Sequence, residues 1–227
     1  MMKMNKLALA CGAALLGAAA VAQADVSANI GATSDYMWRG VTQTGGAAAI
    51  SGGLDYSHDS GFYLGTWASD TNFGSPEWDI YGGFSGEMSD VGYDIGVFHY
   101  MYPDIKNADF TELGLSLSYS MVTVGANYTI QSQVTKAPGN AFLKGDLYYY
   151  ASASFDLPKD FSIGGTVGHY SFDQDANVLD YSHAQVDLTK SAGDFGDFTF
   201  SVSKAGKSAL NGNDTDMRVF VSWAKTF

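Results

Sequence analysis

The sequence is poor in everything that builds a helical or disulfide-stapled protein. It has a single cysteine, Cys11, only four prolines, and beyond residue 25 no apolar stretch long enough to cross a bilayer as a helix. One cysteine excludes an intrachain disulfide framework. Basic residues are scarce, with 12 Lys and Arg against 24 Asp and Glu, and a net charge of −12 excludes the basic face that nucleic-acid binding needs. His58, His99, His169 and His183 are scattered, without metal-ligand spacing. There is no nucleophile elbow of the form G-x-S-x-G and no phosphate loop. Neither a catalytic set, nor a cofactor, nor a metal centre is expected, and the chain is read as a non-enzyme.

The amino terminus has the composition of an export signal. Lys3 and Lys6 precede an apolar run from Leu7 to Val21, and Ala22-Gln23-Ala24 is a small-x-small cleavage site. Residues 1–24 are therefore expected to be removed, leaving 25–227 as the mature domain. Loss of Lys3 and Lys6 leaves 10 basic residues against 24 acidic ones, a formal charge of −14. Such a balance suits a protein beside divalent cations, or one that passes cations.

What is abundant is the material of strands, turns and aromatic girdles: Gly 27, Tyr 14 and Phe 14. Side chains of a strand alternate between two faces, and the alternation is plain in several segments. Val122, Val124, Ala126, Tyr128 and Ile130 share one side; Leu113, Leu115, Leu117 and Tyr119 do the same, as do Phe161, Ile163, Gly165 and Val167. The last segment repeats it with Met217, Val219, Val221, Trp223 and Phe227, although Phe220 falls on the polar side and Lys225 on the apolar one. Counting weaker segments gives about twelve strands, most of them eight to twelve residues long, as expected of tilted membrane-spanning strands.

Connection lengths add an independent regularity. Short turns at 57–61, 86–90, 119–121, 157–160 and 191–196 alternate with longer loops at 34–46, 70–76, 103–109, 133–142, 173–180 and 205–215. Outer-membrane barrels have this asymmetry. The fold expected is thus all-β: a transmembrane antiparallel up-and-down β-barrel with short periplasmic turns, longer extracellular loops and both ends on the periplasmic side. Aromatics at strand ends, such as Trp78, Phe155 and Trp223, fit interfacial belts. The terminal Phe227 fits a signal read by the barrel-assembly machinery. Outer-membrane lipids and lipopolysaccharide are the expected surroundings.

With the apolar face outward, the other face is expected to line the interior. It carries Asp55, Asp79, Asp94, Glu112, Asp146 and Asp187, with Lys144 and Arg218 as its main bases. Unpaired interior charge must be hydrated, so a water-filled lumen with negative bias would pass small solutes, cations above all. Tyr63, Trp67, Tyr81, Phe98, Tyr100, Tyr148, Tyr150 and Tyr170 share that face, and they serve equally to close the barrel or to guide a ligand. A porin, a closed structural or adhesive barrel and a soluble periplasmic β-protein all stand as readings. The acidic loops Asp173-Gln174-Asp175 and 211–216 offer oxygen ligands for Ca²⁺, yet polar turns look the same.

Two segments go beyond generic barrel pattern: 34–44, Ser-Asp-Tyr-Met-Trp-Arg-Gly-Val-Thr-Gln-Thr, and 52–69, from Gly52-Gly53-Leu54-Asp55-Tyr56 through Trp67-Ala68-Ser69. Together they resemble the TorF-type porins, a family of proteobacterial conserved hypothetical proteins. The resemblance implies an outer-membrane barrel and supplies neither substrate nor catalytic residues. Within the first motif Asp35, Tyr36, Trp38 and Arg39 are candidates for a constriction or a loop staple. Asp35 is placed to pair with Arg39, and Arg39 to stack on Tyr36 or Trp38. Gly40 and Gly45-Gly46 permit a tight return.

Overall fold

The computed structural model describes residues 25–137, 139–173 and 178–227. The expected leader, and Gln174 and Asp175 of one acidic loop, lie outside the described residues. Twelve antiparallel strands form a closed barrel: β1 (Asp25–Thr33), β4 (Ala49–Ser57), β5 (Phe62–Ser69), β6 (Glu77–Met88), β7 (Val91–Met101), β8 (Phe110–Tyr119), β9 (Val122–Ser132), β10 (Leu147–Leu157), β11 (Phe161–Ser171), β12 (Tyr181–Ser191), β13 (Asp197–Ala205) and β14 (Arg218–Thr226). Each pairs with its neighbour in the chain, and β14 returns to β1. A two-residue hairpin, β2 (Met37–Trp38) and β3 (Val41–Thr42), lies in the first long loop. The segments with period-two alternation are the strands observed, and short turns and long loops alternate between them.

The barrel is inside out relative to a soluble protein. Leu54, Leu64, Ile80, Ile95, Leu115 and Val221 are exposed on its outer face, whereas Glu112, Thr129, Ser201 and Ser203 are buried within. Closure pairs every strand edge, and an apolar exterior suits hydrocarbon surroundings. Charge follows the same partition. Among the described strand residues facing outward there is no Asp or Glu; His99, His169, Lys190, Lys204 and Lys225 are the basic ones. The two blemishes in the terminal strand resolve accordingly. Phe220 points inward and is 2% exposed. The Lys225 ammonium lies over the Phe227 ring and donates to the Asp194 carbonyl at 2.7 Å, in the last short turn. A long aliphatic stem thus carries its charge to the rim.

The first long loop does not stand up from the barrel. It folds inward, and Tyr36, Met37, Trp38 and Val41 are each under 10% exposed. Arg39 and Gly40 are the central residues of the hairpin, with φ of +48° and +81°. Positive φ at both positions is what a type I′ turn requires. Gly40 also packs where no side chain fits, since a Cβ there would lie 2.4 Å from Cβ of His183 on β12. The start of the loop holds its base: the Asp35 carboxylate accepts from Thr42 Oγ1 at 2.5 Å and Thr44 Oγ1 at 3.1 Å, and Gly46 N–H donates to it at 3.3 Å.

Gly40→Ala is expected to destabilise the folded barrel by about 1–3 kcal/mol through backbone strain and the clash with His183. Gly164→Ala, whose Cβ would meet nothing closer than 3.9 Å, is expected to be neutral within about 0.5 kcal/mol. Urea unfolding in detergent, followed by the heat-modifiable gel band, measures both.

Candidate functional site

The loop between β1 and β4 carries Arg39 across the interior to the far wall. There the guanidinium grips Glu112 of β8 with two parallel bonds, Nη1 to Oε1 at 2.8 Å and Nη2 to Oε2 at 2.6 Å. Fork-to-fork pairing of this kind is the strongest ordinary ion-pair geometry. Glu112 has no exposed surface, and its remaining acceptor capacity is taken by Tyr170 Oη of β11 at 3.0 Å and Tyr100 Oη of β7 at 3.3 Å. Three rings surround the cation: Trp38 at 4.2 Å, Tyr148 at 4.3 Å and Tyr170 at 5.2 Å from the guanidinium carbon. All three rings lie within cation–π reach of the guanidinium carbon.

Around this centre the long-loop end of the barrel is packed with rings. Trp38 meets Tyr100, Phe110 and Phe142 edge-on at 5.9, 6.5 and 5.6 Å. Phe142, from the loop before β10, stacks on Phe110 at 4.8 Å, and Phe172 stacks on Tyr170 at 4.2 Å. Leu143 and Leu179 from neighbouring loops are buried in the same end. A second polar anchor ties the hairpin to β6, where Glu77 accepts from Tyr36 and Tyr102, both at 2.7 Å. The sealing layer is thus hydrocarbon and ring, crossed by two carboxylates whose hydrogen-bond demands are met.

The half nearer the short turns is different. Its inward side is Ser, Thr, Gly and carboxylate, and the acids lean on neutral donors. Asp55 accepts from Tyr81 Oη at 2.5 Å and Asn29 Nδ2 at 3.0 Å. Asp94 accepts from Tyr63 Oη at 3.1 Å, and Asp187 from Ser201 Oγ at 2.6 Å and Gln185 Nε2 at 2.9 Å. One Asp94 oxygen is buried with no hydrogen-bond partner among the described residues, and so is one oxygen of Asp79, which lies at the long-loop end of β6, two residues from Glu77 and opposite Tyr100.

The sequence candidates thus separate by where they stand. Asp55, Asp79, Asp94, Glu112 and Asp187 all face inward. Asp146 does not stand on a strand; it precedes β10, is fully buried, and accepts from the backbone N–H of Leu143 and Asp173 at 2.8 and 2.7 Å, a loop-fastening role. Arg218 opens β14 and pairs with Asp214. The Asp216 N–H and then the Arg218 guanidinium hold that Asp214 carboxyl below the usual carboxylate range. Lys144 sits exposed in a loop rather than on the inner face. Asp35 and Arg39 do not pair with each other: the turn sends Arg39 away from the loop base, and Asp35 satisfies the base instead. Arg39 does stack on Trp38, and Tyr36 packs edge-on against Trp67 at 5.6 Å. Among the described residues no three His, Cys, Asp or Glu converge to hold a metal ion.

Wall, turns and inward loop together define a porin-type barrel of twelve strands. A KdgM porin is similar with a TM-score of 0.57 at 11% identity, covering 87% of this chain and 98% of that one. A NanC porin gives 0.55 at 11% identity over 89% and 98%, and a KdgM porin in complex with disordered oligogalacturonate gives 0.56 at 10% over 87% and 97%. At these identities the likeness is one of fold. By sequence, the chain belongs to the family described as bacterial protein of unknown function (Gcw_chp), whose model matches residues 17–221. No curated protein matches the sequence.

Removing one member of a buried ion pair strands the other. Arg39→Ala is expected to cost about 3–5 kcal/mol, because Glu112 stays buried without its cation. The double variant Arg39→Met with Glu112→Gln is expected to be more stable than Arg39→Ala alone, since it buries no unpaired charge and the amide can accept from one tyrosine hydroxyl and donate to the other. Urea midpoints of the three proteins in one detergent decide it.

Proposed function

We propose that the protein is an outer-membrane channel for small solutes, cations preferred, which the inward hairpin holds shut in the state described here. The observation that carries this reading is the charge arrangement of the wall: Asp55, Asp94 and Asp187 are backed by neutral donors alone and Asp79 faces inward with an unpartnered oxygen, while the cation on Glu112 is contributed by a loop. A wall built only for stability has little reason to leave carboxylate oxygens of Asp79 and Asp94 unpartnered. In a wet lumen those oxygens meet passing cations. The TorF-type resemblance of Ser34–Ser69 and the porin fold support the same reading. The bound oligogalacturonate named for one KdgM porin is anionic; the carboxylates here would repel such a chain, so a different solute class is inferred. The short turns then face the periplasm, the long loops face outward, and the apolar outer surface meets lipid and lipopolysaccharide.

A closed structural barrel is the second reading, favoured by the absence of any exposed surface on Glu112 and Tyr170. Planar bilayers separate the two. The wild-type protein is expected to open rarely, and a variant lacking residues 36–45 to conduct steadily with a reversal potential favouring K⁺ over Cl⁻. Neutralising Asp79, Asp94 and Asp187 together to Asn is expected to remove that preference. Silence from the folded loop-deleted protein would establish the closed barrel.

A further inference from the structure

The cage around Arg39 is built in two halves. Trp38 and Arg39 come from the hairpin. Glu112, Tyr100, Tyr148 and Tyr170 come from four strands of the opposite wall, and their arrangement is held without the hairpin. Tyr148 donates to or accepts from His183 Nε2 at 2.9 Å, stacks on that imidazole at 5.8 Å and 13°, and stacks on Tyr150 at 5.7 Å and 20°. Its ring lies flat on the wall because Gly168 lacks a Cβ, which would sit 2.5 Å from the Tyr148 hydroxyl. Tyr170 is fixed by Phe172 and by its own bond to Glu112. The wall therefore presents a preorganised carboxylate fork flanked by two ring faces, the geometry suited to a planar, bidentate cation.

We propose that this wall site recognises the guanidinium group of a small solute, with Arg39 as a tethered occupant standing in for it. A solute that carries the same group competes with Arg39 for Glu112 and the two tyrosine faces, and its binding releases the hairpin. Charge and shape both select the class. A buried carboxylate needs a cation, the fork matches two parallel N–H donors, and ring faces favour a weakly hydrated planar ion over a compact ammonium. The link from binding to opening rests on the channel reading; the site itself does not.

Chemical complementation tests the site. The full-length Arg39→Ala protein, refolded in detergent, is heated with methylguanidinium chloride, and the temperature at which the compact gel band is lost is recorded. At a concentration roughly five times the dissociation constant, a rise of about 2–4 °C is expected from mass-action stabilisation of a protein this size. Equal concentrations of sodium chloride and urea are expected to give no rise, and methylammonium chloride a smaller one. Arg39→Ala with Glu112→Gln is expected not to respond. If Arg39→Ala does not fold, Arg39→Gln takes its place. No methylguanidinium-specific rise in a folded Arg39 variant, an equal response without the Glu112 carboxylate, or a methylammonium response as large would each overturn the proposal. Conductance is read separately, so bilayers that stay silent beside a responsive Arg39 variant would defeat the channel and leave the site standing.

Discussion

A guanidinium carried across the barrel to a carboxylate on the far wall is the constraint on which the long-loop end depends. Charges meeting in such a place are costly to desolvate, so everything near them is arranged to repay that cost. Glu112 receives two hydroxyl donors besides the fork, and Arg39 receives three ring faces. The aromatic packing then follows from the pair rather than causing it. Trp38 must lie beside Arg39 to cover it, and Tyr100, Phe110 and Phe142 close around Trp38 in turn.

The strain at the hairpin tip belongs to the same arrangement. Arg39 occupies a backbone region that non-glycine residues seldom adopt, with φ at +48°. A longer loop would relieve the backbone, but it would lose the fixed reach that delivers the side chain to β8. Strain of this kind persists only where surrounding contacts over-determine the conformation. Here Gly40 packed against His183 supplies that determination on one side, and the Glu112 fork supplies it on the other.

Much of the fold was legible because a barrel writes itself in local terms. Alternation in segments such as Val122–Ile130 states both the strand and its outward face, and loop lengths state which end is which. The inward aromatics were legible for the same reason. Partners were not. Asp35 stands four residues from Arg39 and looks like its partner, while Glu112 lies 73 residues away. Only the reach of a type I′ turn and the width of a twelve-stranded wall select the distant one. An irregularity between Thr111 and Glu112 also skips Ile130 of β9 in the pairing, which simple alternation does not announce. Asp146 misled because it continues the polar alternation of β10 into a loop.

The seam between β1 and β14 is short, five residue pairs from Asn29–Thr226 to Thr33–Ser222, whereas β1 matches β4 along all nine of its residues. It joins positions almost a full chain apart, so closing it carries the largest loop entropy in the molecule. The hairpin follows β1 beside this seam, and its Arg39 is fastened to β8 on the opposite wall. The ion pair is therefore a cross-brace: it ties the strand at the most thinly paired joint of the barrel to a wall whose pairing is long.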